Sequence, residues 1–252
     1  MSTIRRADHC VIACAEIYRG DGEILANPTV GTIPFLGARL ARATFEPDLT
    51  MVGMEAMLTV GTDDSAAAAA PVVEGWLPYR LVFDIVWSGR RHVVMGASQV
   101  DRNGNTNISS IGAFEKPSVQ LLGPRGAPGN TVNHQTSYWV PNHNRRVFVD
   151  TVDFVSGVGP SRAAEAGGMS ADYNDIRAVI SDLCVIDFKG PGGCARLASL
   201  HPGVTFEQVQ ENTGFPLGSA SEFAVTRDPT GLEMQIIERM DPEGRRYSEV
   251  GA

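Results

Sequence analysis

Apolar positions along the chain fall into short runs broken by Gly, Pro, Asn and Asp. Val11-Ile12-Ala13-Cys14, Leu49-Thr50-Met51-Val52, Val93-Val94-Met95, Leu183-Cys184-Val185-Ile186-Asp187-Phe188 and Phe223-Ala224-Val225-Thr226 have strand length. Their apolar residues do not alternate with polar ones, which is the pattern of strands covered on both faces. Arg146-Val147-Phe148-Val149 and Val152-Asp153-Phe154-Val155 read as a further strand and its continuation, stopped by Gly157 and Pro160. Between the runs lie helical segments. Gly31-Thr32-Ile33-Pro34 opens one that reaches Ala43, with Phe35, Leu36, Leu40 and Ala43 at helical spacing. Pro78 opens a second, from Tyr79 to Ser88, in which Leu81, Phe83, Ile85, Val86 and Trp87 are expected to be mostly buried. Thr205 with Gln208, and Thr230 with Glu233, form capping boxes for two more. The alternation predicts an α/β fold: a mainly parallel open sheet covered by helices, as one domain over residues 1–252.

The stretch from Met95 to Asn130 interrupts this alternation. A tight turn, Asp101-Arg102-Asn103-Gly104-Asn105, is followed by Val119-Gln120-Leu121-Leu122 and then by Gly123-Pro124-Arg125-Gly126-Ala127-Pro128-Gly129-Asn130. A Gly/Pro-rich loop after a strand offers backbone N–H groups at the sheet's carboxyl edge, where open α/β sheets bind ligands. Such a loop either cradles an oxyanion or is only a turn. Thr62 to Ala70 is small and polar, and residues 161–178 are loop-rich.

Charge narrows the partners. The net charge is −8, and the only lysines, Lys116 and Lys189, are isolated, so nucleic acid is not expected as a partner. No apolar run approaches the roughly 18 residues of a membrane span, and Glu16 interrupts the apolar segment near the N-terminus, so a cytoplasmic protein is expected. Cys10, Cys14, Cys184 and Cys194 lack metal or framework spacing and read as free thiols. No metal and no cofactor is predicted.

Several segments, in their order, resemble the β subunit of family I CoA-transferases over roughly residues 8 to 240. Gln99-Val100-Asp101-Arg102-Asn103-Gly104-Asn105-Thr106-Asn107 is similar to the family's QVD-x-x-GN-x-N turn. Leu200-His201-Pro202-Gly203-Val204-Thr205 with Glu211-Asn212-Thr213-Gly214-Phe215 is similar to its HPGVT…TGF run. The resemblance implies a CoA-transferase-like subunit of the NagB/RpiA type. It aligns Glu55, in Val52-Gly53-Met54-Glu55-Ala56-Met57, with the glutamate that attacks acyl-CoA, although the flanking Ser, Asn and Gly are replaced. It aligns residues 123–129 with the oxyanion loop G-x-G-G-x-x-D. Gly123 and Gly126 are retained, while Arg125 replaces the middle glycine and Gly129 the closing aspartate.

These departures point to the divergent branch that hydrolyses a carbocyclic ring of CoA thioesters in steroid degradation. For that branch the resemblance implies an α subunit of the same fold, an α2β2 assembly, an acyl-CoA substrate and an interfacial site. It also allows the essential carboxylate to sit in the α chain. Glu55 is then a desolvated base or nucleophile, or a structural carboxylate. Arg125 binds a carboxylate or enolate, or is a solvated loop arginine or Glu115's ion-pair partner. Gly123, Gly126, Asn130 and His134 are the candidate substrate-binding residues, the last with Tyr138 and Trp139 as either pocket lining or packing. Asn105 and Asn107 are expected to brace the turn, and His201 to fix a helix entrance. Two alternatives stand beside ring hydrolysis: CoA transfer through a glutamyl thioester at Glu55, and a non-catalytic scaffold that shapes the CoA pocket.

Overall fold

The computed structural model describes residues 3–52, 57–61 and 72–251, without the side chains of 219–222. Its frame is a ten-stranded sheet ordered β14-β13-β12-β11-β10-β5-β1-β2-β3-β4. Five central strands are parallel: β11 (Asp175–Ser181), β10 (Gln135–Val140), β5 (Arg91–Gly96), β1 (Leu25–Pro28) and β2 (Thr50–Val52). β3 (Met57–Val60) and β4 (Val72–Trp76) extend one edge antiparallel. On the other edge β12 (Cys184–Asp187) and β13 (Arg196–Leu200) turn antiparallel, and β14 (Gly218–Val225) lies parallel to β13.

Helices cover both faces: β5 is buried from Arg91 to Met95 and β10 from Thr136 to Val140, while β1 and β2 are only partly buried at their ends. One face packs α1 (Arg6–Glu16), α2 (Thr32–Thr44) and α8 (Gly231–Met240) around Ile12, Ile33, Leu40, Val94 and Ile237. The other builds on Val93, Tyr138, Phe148, Ile186 and Leu197. It carries α4 (Ala127–Asn133), flanked by α3 (Leu81–Ser88) and α6 (Met169–Tyr173). α5 is Pro160–Ala166, and α7, Phe206–Glu211, is capped by Thr205 and Gln208 as the sequence predicts. The Thr230–Glu233 box caps α8 in the same way. Two small ribbons, β6 (Gln99–Val100) with β7 (Thr106–Asn107) and β8 (Ser110–Ile111) with β9 (Val119–Gln120), stand off the main sheet.

Four expectations are corrected. Val11 to Cys14 is the middle of α1, not a strand. That helix is buried from Ala7 to Ala15, so it shows no polar stripe and its β-branched run imitates a strand. In α3 only Val86 is buried; Phe83 and Trp87 are 53% and 73% exposed, so this helix presents apolar side chains outward. Residues 146–155 form no strand. Val147 and Val149 exchange only one pair of backbone bonds with Val100, the Val147 N–H turning back to the Asn144 carbonyl, and Asp153 turns its carboxylate to Gln99 and to the Gly112 N–H. Within 161–178 lie two short helices and the start of β11.

Buried polar groups tie the layers together. Arg246 is clamped by Asp8 at 2.7 Å and Asp241 at 2.9 Å, joining α1 to the C-terminal segment. His143, stacked on Phe148, lies between Ser181 and Thr213; His201 lies between Thr226 and the Ser181 carbonyl. Burial lowers the His143 pKa to about 3 and that of His201 to about 4.

In the unfolded chain both titrate near 6.5, so folding is unaffected by them above that pH. Below it the unfolded chain takes up protons that the folded one refuses, until the folded values are reached. Each histidine therefore costs about 1.4 kcal/mol of stability per pH unit as pH falls from about 6.5. Urea unfolding followed from neutral pH to about pH 5 checks this. His143→Gln and His201→Gln are each expected to flatten the slope by about one proton, and unaltered slopes in both would refute the assignment.

Candidate functional site

The strand order reverses at β1: the chain leaves it for β2 on one side and returns as β5 on the other. Ligand crevices open at such points, at the strands' carboxyl ends. Here a cleft of about 710 Å³ occupies that position. Thr29 and Val30 after β1, Gly96, Ala97 and Ser98 at the end of β5, and Trp139 of β10 form its base. Phe83 and Val86 of α3 and Leu121, Leu122, Arg125 and Gly126 form its outer wall.

The turn before that wall is rigid. Asp101 accepts from the Asn103 and Asn105 backbone N–H groups at 2.9 and 3.0 Å and from Asn105 Nδ2 at 3.0 Å. Asn107 donates to Gln99 and to the Ser110 carbonyl, so both asparagines brace the loop as expected. The loop then passes through Arg125, the only non-glycine residue with positive φ (48°) among the described residues. A left-handed arginine costs about 1 kcal/mol or more relative to glycine. It stands exposed on the cleft wall, and among the described residues no carboxylate pairs with it, Glu115 included. Gly129, where the resembled motif closes with aspartate, lets α4 meet α3: a Cβ there would lie 2.5 Å from Val86 Cγ1.

A second cation forms the floor. Arg91 opens β5, and its side chain runs along the sheet to donate from Nη1 to Asn27 Oδ1 at 3.0 Å and from Nη2 to Asn130 Oδ1. Asn130 is itself held by Gly126 O and by Met95 S at 3.2 Å. Arg91 is 4% exposed, and burial lowers its pKa to about 10. Sequence reasoning missed it, because an arginine at a strand start reads as solvated; the adjacent Arg90-Arg91 pair ahead of a buried strand was the available signal.

Of the predicted site residues, Arg125, Gly126 and Asn130 meet in the cleft. Gly123 does not line it: its N–H is bonded to the Ile108 carbonyl and its φ of 86° turns the chain. His134 also lies apart, buried on the far side of Arg91, with Nε2 bonded to the Val86 carbonyl and a pKa lowered by burial and then by the Arg91 charge. Tyr138 is packing; Trp139 serves both roles. Glu55 lies outside the described residues. His201 fastens strand ends rather than a helix entrance, joining Thr226 to the Ser181 carbonyl.

Two further arrangements bear on chemistry. The N-terminus of α2, where doubly wound folds hold phosphate, is filled by Glu249, which accepts from the Thr32 and Ile33 N–H groups at 2.7 and 3.0 Å and from Trp139 Nε1 at 2.6 Å. On the opposite face of β5 from Arg91, Asp21, His92 and Ser137 form a line with 2.6 and 2.9 Å bonds, the spacing of a hydrolytic triad. All three are sealed from solvent apart from 9% of Asp21, and Tyr18 covers the imidazole, so no acyl group reaches Ser137. Among the described residues no cluster of His, Cys, Asp or Glu has metal-site geometry, and no helix is long and apolar enough to cross a membrane.

No family model matches the chain. It is 49% identical over 251 residues to the cholesterol ring-cleaving hydrolase IpdB subunit of Rhodococcus jostii RHA1, covering 99% of this chain and 98% of that one. The crystal structure of Rhodococcus jostii RHA1 IpdAB superposes with a TM-score of 0.90 at 48% identity, covering both chains fully. A 3-oxoadipate CoA-transferase subunit of Pseudomonas knackmussii is 32% identical over 221 residues, 83% of this chain and 84% of its own.

Arg125→Gly is expected to raise stability by up to about 1 kcal/mol in chemical denaturation, while Arg125→Ala does not. Equal effects would show that the loop carries no strain. A fluorophosphonate probe is expected to leave Ser137 unlabelled in the folded protein, read by peptide mass spectrometry; stoichiometric labelling would make it an accessible nucleophile.

Proposed function

We propose that this chain, which belongs to the family of cholesterol ring-cleaving hydrolase IpdB subunits, is the β subunit of an α2β2 hydrolase that opens a carbocyclic ring of a CoA thioester in steroid catabolism. The observation that carries the reading is the content of the cleft. Apolar walls from Phe83, Leu121, Leu122 and Trp139 suit a hydrocarbon ring, and Arg91 and Arg125 place positive charge on floor and rim. Among its described lining residues there is no carboxylate.

A transferase would use a carboxylate to attack the thioester. Ring hydrolysis asks instead for an activated water and for stabilisation of an enolate. Water adds to the ring ketone, the bond to the carbon α to the thioester breaks, and its electron pair moves onto the thioester as an enolate. Protonation of that carbon leaves an acyl-CoA and a new carboxylic acid. The general base is assigned either to Glu55 or to the α subunit. Water is the co-reactant and CoA is part of the substrate, so the reaction needs no separate cofactor.

The apolar surface agrees with a partner. Val72, Val73 and Trp76 of β4 and Tyr79, Phe83 and Trp87 beside them are exposed, more than a monomer usually shows in one short stretch. The solved relative, IpdAB, is named for two different chains, and α3, one wall of the cleft, belongs to this same exposed stretch.

The test is co-expression with an α subunit of this family, followed by reaction of a cyclic β-keto acyl-CoA in ¹⁸O-labelled water without acceptor acid. The expected product keeps CoA and gains one labelled water. Reaction only after adding an acceptor acid, with borohydride inactivation dependent on acyl-CoA, would make the chain a transferase using Glu55. Glu55→Ala combined with Arg125→Ala is expected to lower turnover by at least about a hundredfold. Retention within a few-fold would remove both residues from the chemistry and favour the scaffold alternative.

A further inference from the structure

Two arginines of this chain are buried to the same degree but are held in opposite ways. Arg246, 2% exposed, has the carboxylates of Asp8 and Asp241. Arg91, 4% exposed, has no carboxylate partner among the described residues: two amide oxygens accept from Nη1 and Nη2, and Nε has no partner. A guanidinium carries five N–H donors, so the two amides leave donor capacity unused. A buried cation without an anion is costly, because the desolvation of its charge is not offset by a partner charge. Asn27 and Asn130 fix the plane of the fork without neutralising it. What results is a preformed, largely dehydrated positive group lining the cleft, unlike Arg125, whose charge is screened by solvent.

We infer that Arg91 binds the anionic oxygen generated in the cleft and is thereby a catalytic residue of the ring-opening step. This rests on the hydrolase reading above. Cleavage creates two anionic oxygens in turn: the thioester enolate, when the carbon–carbon bond breaks towards the α carbon, and the carboxylate formed at the former ketone. Both are planar acceptors suited to the guanidinium fork. The shared chemistry is therefore an oxyanion at the reacting carbons.

The experiment uses the intact complex with α subunit, as wild type, Arg91→Lys, Arg91→Gln and Asn27→Ala. The probe is acetoacetyl-CoA, a β-keto thioester without a ring, whose enolate has its own near-ultraviolet band. The wild-type complex is expected to raise this band at neutral pH, Arg91→Gln to abolish it, and Arg91→Lys to restore only part. Single-turnover ring cleavage is expected to fall about a hundredfold in Arg91→Gln. The inhibition constant of the ring-opened product then separates the sources: unchanged, it confines the contact to the enolate; raised about tenfold or more, it adds the product carboxylate.

If Arg91→Gln does not assemble, Asn27→Ala keeps the guanidinium but frees one arm, and a smaller loss of both band and rate is expected. Retention of band, rate and product affinity alongside a lowered Tm would overturn the inference and make Arg91 a strut. A wild-type complex that raises the enolate band, with the band lost in Arg91→Gln, yet opens no ring would sink the hydrolase reading and leave Arg91 as an oxyanion-binding residue only.

Discussion

The parallel pairing of β5 between β1 and β10 is the constraint on which the rest depends. It brings Val93 and Val94 to complete burial on opposite faces, each worth about 1.5–3 kcal/mol of apolar transfer. It also fixes by register which residues look which way. Arg91, Val93 and Met95 face α4 and the cleft; His92 and Val94 face α1 and α2. A slip of one residue would exchange the two sets. The buried cation would then lie against Tyr18, and His92 would leave Asp21 and Ser137 for the cleft side. One strand register thus separates a group able to meet substrate from a group able only to hold the fold.

Much of the architecture was legible because burial on two faces leaves a plain signature. Val93-Val94-Met95 and Leu183 to Phe188 are strands for the reason their sequence suggests, and the Thr205 and Thr230 boxes cap real helices. β10 was illegible as a strand. Gln135-Thr136-Ser137 looks like loop, yet Thr136 bonds to the His134 carbonyl and Ser137 to His92, so polar side chains sit in the core at no unsatisfied cost. α1 was misread for the complementary reason: complete burial removes the polar face by which a helix is recognised.

The site was half legible. Motif order found the loop and so found Arg125, Gly126 and Asn130, because a turn's glycines and prolines are local in sequence. Arg91 comes from another strand, and nothing near it reveals that Asn27, 64 positions earlier, and Asn130, 39 positions later, close around it. Gly123 shows the converse limit. Its sequence context suggested a ligand-facing N–H, but Ile108 takes that N–H and makes it a fastening of the loop.

Glu249 explains why cations matter in this cleft. In doubly wound folds the helix that follows the first strand receives an anionic ligand at its N-terminus. Here the side-chain carboxylate of Glu249 occupies that place, bridging two backbone N–H groups of α2 and the indole of Trp139. A second anion brought there would meet a negative charge in a confined space, where like charges repel far more strongly than in water. Among the described lining residues, the positive charge left for an anion in the cleft is that of the Asn27–Arg91–Asn130 floor and of Arg125 on the rim. The same displacement bears on the choice between transfer and hydrolysis. A glutamyl-thioester pathway develops its negative charge on tetrahedral oxyanions that collapse back to neutral acyl groups. An enolate freed by ring cleavage has no covalent refuge, and a fixed guanidinium beside apolar walls is the environment that lowers its energy.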